Sequence, residues 1–137
     1  MAEKLCTLRK CGGGKMKETV LWTNPSPTSD FAGVVVDLSD NISHYKYIGI
    51  VGAYSKNSNS NTLECIYPAD QLPNATSGAA YPVMSIAGYR SNTFYFRLIN
   101  YSSDTKIAIS SGRSFTSSTA PSTNNGVMIP LTIKGYK

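Results

Sequence analysis

The sequence predicts an all-β fold, namely a single antiparallel β-sandwich or jelly-roll-like domain of about eight strands, with a small barrel as the remaining alternative. Short apolar segments alternate with polar residues at the period of a β-strand. Ser, Thr and Asn supply 40 of the 137 residues, and they favour turns and strand surfaces over helices. No segment carries an apolar stripe of helical period over three turns. The length suits one domain and leaves no room for a second core.

Residues 1–17 are predicted to form a flexible basic arm, followed by a β-sandwich domain over 18–137. The arm contains a run of three glycines, Gly12 to Gly14, whose backbone entropy disfavours a rigid element. Five basic residues against Glu3 give the arm four of the five net positive charges, so the rest of the chain carries a net charge of only +1. Because nucleic-acid binding usually needs a basic stripe on a folded face, no nucleic-acid partner is predicted.

Eight strands are predicted between clusters of turn-forming residues. They cover 19–23, 32–38, 46–54, 62–67, 83–90, 93–100, 106–110 and 127–134. The loops 55–61 and 112–126 are long and rich in amides and hydroxyls, which makes them the expected contact regions.

Alternation along two of these strands predicts which side chains face the core. In 127–134, the residues Val127, Ile129, Leu131 and Ile133 share one face, and Pro130 indicates an edge strand because proline cannot donate to a ladder. In 93–100, three apolar residues share one face and are predicted to point into the core, and the three residues between them are predicted to point away from it. The predicted core residues are Phe94, Phe96 and Leu98, and those opposite are Tyr95, Arg97 and Ile99.

No catalytic residue, metal site or cofactor is predicted. His44 is the only histidine; it follows Asp40 by four residues, but no nucleophile motif accompanies this pair. Cys6 and Cys11 would provide only two of the four ligands that structural zinc needs. An odd number of cysteines without an export signal favours reduced thiols, with Cys65 packed inside a strand. No apolar stretch approaches the roughly 20 residues that span a bilayer, so no membrane insertion is predicted.

Surface recognition is the function that the composition favours. Nine tyrosines against four phenylalanines are a bias towards amphipathic rings, which suit binding faces. The alternative is that tyrosine is simply a favoured strand residue. The candidate binding residues are the tyrosines and arginines clustered in the middle of the chain: Tyr89, Arg90, Tyr95, Arg97 and Tyr101.

Three segments resemble the opening of small β-rich, tail-associated proteins of phages that infect Gram-positive or gut bacteria. Residues 19–28 read Thr-Val-Leu-Trp-Thr-Asn-Pro-Ser-Pro-Thr, 31–39 read Phe-Ala-Gly-Val-Val-Val-Asp-Leu-Ser, and 47–50 read Tyr-Ile-Gly-Ile. The resemblance covers most of 18–137 and is one of pattern, with no catalytic signature. Residues 5–10, with the glycine run after them, also resemble the leader of short phage virion proteins.

This resemblance implies a virion component of the tail fibre, tail tip or baseplate that is assembled in the host bacterial cytoplasm. It further implies a homo-oligomer, with a trimer favoured, that contacts other virion proteins and binds the host cell surface through a glycan. The alternative is a purely structural virion assembly protein without receptor binding.

Overall fold

The computed structural model describes residues 16–75 and 84–137, and it confirms the all-β prediction. Ten strands form two antiparallel sheets. In chain order they are β1 (Glu18–Thr23), β2 (Val34–Asp37), β3 (Tyr47–Ser55), β4 (Thr62–Pro68), β5 (Met84–Arg90), β6 (Thr93–Ser103), β7 (Lys106–Ile109), β8 (Arg113–Thr116), β9 (Ser122–Thr123) and β10 (Val127–Tyr136). Two short 3₁₀ turns, Ile42–His44 and Ala69–Asn74, connect strands. The predicted arm, with Cys6 and Cys11, lies outside the described residues except for its last two positions.

The first sheet has the strand order β1-β10-β3-β4. In the second sheet, β6 is paired along both of its edges. Ile99 pairs with β5 on one edge and with β7 on the other, and Phe96 pairs with β5 on one edge and with β8 on the other. The strands β7 and β8 therefore follow each other along the second edge of β6. Beyond them lie β2, beside β7, and β9, beside β8.

The core lies between the two sheets and is built mainly from isoleucine. Ile48, Ile50 and Ile133 of the first sheet and Ile86, Ile99 and Ile107 of the second are all fully buried. β-Branched side chains pack well on a pleated surface, which explains why this residue dominates. Cys65 of β4 is half-buried against this core, as predicted for a small apolar side chain.

The prediction that Pro130 marks an edge strand is wrong, since β10 lies between β1 and β3. The ladder with β3 shifts register between Pro130 and Thr132, and such a bulge tolerates a residue without an N–H. The side-chain amide of Asn24 donates to the Pro130 carbonyl over 2.8 Å. Met128 has a φ of 45°, and it is as buried as its neighbour Ile129, so the strict alternation predicted for this strand also fails.

The predicted faces of β6 are reversed in the structure. Arg97 and Ile99 are fully buried, whereas Phe94 is 46% exposed and Phe96 and Leu98 are half-buried on the outer side of the sheet. The strands β8 and β9 were not predicted, because their Ser- and Thr-rich sequence resembles a loop. The predicted contact loop 112–126 therefore contains two strands.

Candidate functional site

A cleft opens where the ends of β3 and β4 in the first sheet face the end of β5 in the second. Its volume is about 400 Å³, within the range of about 300–1,000 Å³ usual for ligand sites. The lining combines aromatic, polar and apolar side chains with one cation: Tyr54, Asn61, Thr62, Leu63, Gly88, Tyr89, Arg90 and Met128. We refer to these residues as the inter-sheet cleft.

Local turn geometry places two of these residues at the cleft. Ser91 and Asn92 connect β5 to β6 with φ values of 52° and 62°. Positive φ at both central positions is the mark of a type I′ turn, whose twist matches that of the flanking strands. Tyr89 and Arg90 are therefore held at the end of a tight hairpin, and the Tyr89 hydroxyl donates to Asn92 Oδ1 over 3.0 Å.

Contacts between aromatic rings and a cation order the floor of the cleft. The guanidinium of Arg90 lies over the Tyr54 ring, 5.0 Å from its centroid, and Tyr54 meets Tyr95 edge to face at 5.2 Å. A cation over a ring face within about 6 Å is attracted by the ring quadrupole. The contact with the Tyr95 hydroxyl, and then partial burial, raises the pKa of Tyr54, so its phenol is neutral at physiological pH.

Arg97 lies in the interior instead of on a binding face. Its guanidinium nitrogens donate six hydrogen bonds of 2.7–3.1 Å to backbone carbonyls. The acceptors are the carbonyls of Phe31, Ser110, Asn125, Val127 and Met128. Burial lowers the pKa of Arg97 to about 10, so the side chain remains charged at neutral pH. Its role is to tie three separate chain segments to β6.

The five candidate binding residues therefore fall in different places. Tyr89 and Arg90 line the cleft, but the Tyr89 ring packs against Phe94 with centroids 4.6 Å apart, and Tyr95 supports the cleft through Tyr54. Arg97 is buried, and the hydroxyl of Tyr101 donates to Asp104 over 2.7 Å. Tyr54, Asn61 and Thr62 were not among the candidates, although Asn61 ends the predicted contact loop 55–61.

The loop 55–61 is anchored to its surroundings by its own polar side chains. Lys56 forms a 2.6 Å ion pair with Asp30, and the Asn59 amide donates to the Pro27 carbonyl over 3.2 Å. The Lys56 backbone N–H donates to the carbonyl of Gly126. These bonds fix the loop beside the cleft, so Asn61 reaches it from a held position.

A second surface, which we call the aromatic face, covers the outer side of β5, β6 and β8. It consists of Phe94, Phe96 and Phe115 with the smaller side chains Ala87 and Leu98. Phe94 and Phe115 are nearly parallel, at 16°, with centroids 5.1 Å apart. This separation is too short for rings lying side by side in one plane, so the two rings are stacked. Phe96 meets Phe115 edge to face, with centroids 5.9 Å apart, so the rings of the aromatic face do not lie in one plane.

The Asp40 and His44 pair noted in the sequence does form, but it stabilises a turn. His44 Nδ1 lies 2.8 Å from Asp40 Oδ1, and the Tyr45 hydroxyl donates to Asp40 Oδ2 over 2.8 Å. Bonds from Tyr45, then from the Asn41 backbone and from His44, lower the pKa of the Asp40 carboxyl. Every partner lies within five residues of Asp40, as expected for a carboxylate that fixes local backbone.

Within 16–75 and 84–137, no three His, Cys, Asp or Glu side chains come together as a metal site would require. The same described ranges hold no helix with the length and apolar character needed to cross a bilayer. In comparisons with known proteins, no family model matches this chain and no curated protein matches it.

Proposed function

We propose that this chain is a non-catalytic binding module that holds a glycan of a host cell surface in the inter-sheet cleft. The observation that supports the proposal is the combination of Tyr54 and Arg90 with amide and hydroxyl side chains in one concave site of about 400 Å³. The apolar face of a sugar ring packs against aromatic side chains, and its hydroxyls need amide and hydroxyl partners. Asn61 and Thr62 supply such partners at the rim.

The resemblance to phage tail-associated proteins supports a virion setting for this binding. In that setting the chain is a tail fibre or baseplate component, assembled in the host bacterial cytoplasm together with other virion proteins. A homo-oligomer, with a trimer favoured, would present several weak sites at once. Linking weak sites raises overall avidity by roughly a hundredfold or more without any new contact.

A glycan array probed with the purified full chain tests the proposed function, using Tyr54→Ala as the variant. We expect the wild type to bind a defined set of glycans and the variant to lose roughly tenfold or more in affinity, since ring contacts contribute about 1 kcal/mol or more. Tyr47→Ala is the matched control, because Tyr47 lies at the other end of β3 and does not line the cleft. Absence of glycan binding by the wild type, or equal binding by Tyr54→Ala, would contradict the proposal.

A purely structural role in virion assembly is the second candidate, and the aromatic face favours it. Phe94 and Phe115 present apolar rings on the outer side of a sheet, where another protein surface could pack. Light scattering at low micromolar concentration measures the assembly directly. We expect a mass of several chains, reduced by Phe94→Ser, whereas a wild-type mass near 14.8 kDa would count against self-assembly.

A further inference from the structure

Acidic residues are absent from most of the second half of the chain. Seven of the eight Asp and Glu residues lie at or before position 70, and the eighth is Asp104. The strands β5, β6, β8 and β9 therefore contain no carboxylate side chain, yet they carry three arginines. Arg97 is buried, whereas Arg90 and Arg113 are exposed.

Three lysines elsewhere in the described chain pair with acids. Lys56 lies 2.6 Å from Asp30, Lys106 lies 2.6 Å from Asp37, and Lys134 lies 3.0 Å from Glu18. Among the residues that the structure describes, no carboxylate lies within 4.0 Å of the Arg90 guanidinium. The inter-sheet cleft thus holds a cation whose charge is not neutralised by a described neighbour.

Arg90 is exposed at the inter-sheet cleft, within reach of a ligand. The guanidinium carbon lies over the Tyr54 ring, 5.0 Å from its centroid, and a guanidinium has five N–H donors in a planar fork. A planar fork of this kind matches a carboxylate with two parallel hydrogen bonds. Contact with the Tyr54 ring restricts the Arg90 side chain beforehand, which reduces the entropy lost on binding.

We propose that the inter-sheet cleft selects an anionic saccharide, whose carboxylate pairs with Arg90. This inference rests on the proposed glycan-binding function and adds the chemical class of the ligand. The carboxylate binds the Arg90 fork, and the sugar hydroxyls bond to Asn61 and Thr62. Leu63 and Met128 provide the apolar wall of the cleft.

A nucleic acid is the other anionic macromolecule that a cation beside aromatic rings could bind. Nucleic-acid grooves follow the phosphate backbone with a row of cations. The inter-sheet cleft has one cation, Arg90, and the lining residues otherwise carry no charge. A single carboxylate on a sugar fits this arrangement better than a chain of phosphates.

The test compares uronate- or sialate-containing oligosaccharides with their carboxyl-reduced counterparts, by calorimetry on the full chain at low and high salt. We expect the carboxylated form to bind at least about tenfold more tightly, the value of one charge-assisted pair. Arg90→Gln should abolish this preference, and Arg113→Gln, the matched control, should keep it. The preference should also weaken as salt is raised.

Each other outcome overturns a defined part of the proposal. If the wild type binds the carboxyl-reduced sugars as tightly as the carboxylated ones, the ligand class is wrong although glycan binding stands. If neither form binds, the proposed function and this inference fail together. If an oligothymidine binds more tightly than any saccharide, and Arg90→Gln abolishes that binding, the partner is a nucleic acid.

Discussion

Replacement of Arg97 by Met is expected to lower the free energy of unfolding by about 3–5 kcal/mol, the usual result of removing one partner from a buried polar network. Methionine fills a similar volume but has no donors. Five backbone carbonyls that now accept from the guanidinium would be left in the interior without it. Each buried acceptor left without a donor costs about 1–3 kcal/mol unless the structure relaxes.

Urea unfolding followed by circular dichroism measures the effect of Arg97→Met. The control is Arg113→Met, because Arg113 is exposed and its replacement should change stability by no more than about 0.5 kcal/mol. A variant that fails to fold at all would agree with the expected direction. A loss below about 1 kcal/mol would show that the six hydrogen bonds contribute little to the fold.

The second large effect is expected at Ile99, where replacement by Ala should cost about 2–5 kcal/mol. Ile99 is fully buried between the sheets, so the truncation leaves a cavity. Its neighbour Leu98 is half-buried on the outer side of β6, and Leu98→Ala should cost about 1 kcal/mol or less. The same urea experiment compares the two. A larger cost at Leu98 than at Ile99 would restore the faces that simple apolar alternation predicts.

The alternation failed at β6 because the interior of this protein contains an arginine. Phe94, Phe96 and Leu98 are together more apolar than Tyr95, Arg97 and Ile99, so hydrophobicity alone selects the wrong side. Burial of Arg97 is tolerated because its donors find carbonyls on distant segments, which a local pattern does not contain. Large apolar residues on the outside are not forbidden, since much of any protein surface is apolar.

The all-β class and eight of the ten strands could be predicted because they depend on local composition and period. The strands β8 and β9 could not, since Ser and Thr are as common in turns as at strand surfaces and only pairing with β6 distinguishes them. The central position of β10 in its sheet could not be predicted either, because it depends on a contact between distant parts of the chain. Its bulge at Pro130 is completed by Asn24, more than one hundred residues away in the chain.

Two residues that line the inter-sheet cleft, Tyr89 and Arg90, could be selected from the sequence as candidates. Successive residues of a strand point to opposite faces, so only Arg90 faces Tyr54, whereas the Tyr89 ring packs on Phe94. Tyr54 and Asn61 come from the opposite sheet, and only the packing of the two sheets brings them to the cleft. Long-range packing of this kind leaves no periodic signal in the sequence.

Binding at the inter-sheet cleft is tested most directly by an NMR titration of the ¹⁵N-labelled chain with a carboxylated oligosaccharide that the array identifies. We expect the largest backbone amide shifts at Tyr54, at 61–63 and at 88–90, and small shifts elsewhere on the described surface. Largest shifts at Phe94 and Phe115 would instead place the ligand on the aromatic face, and that result would contradict binding in the cleft.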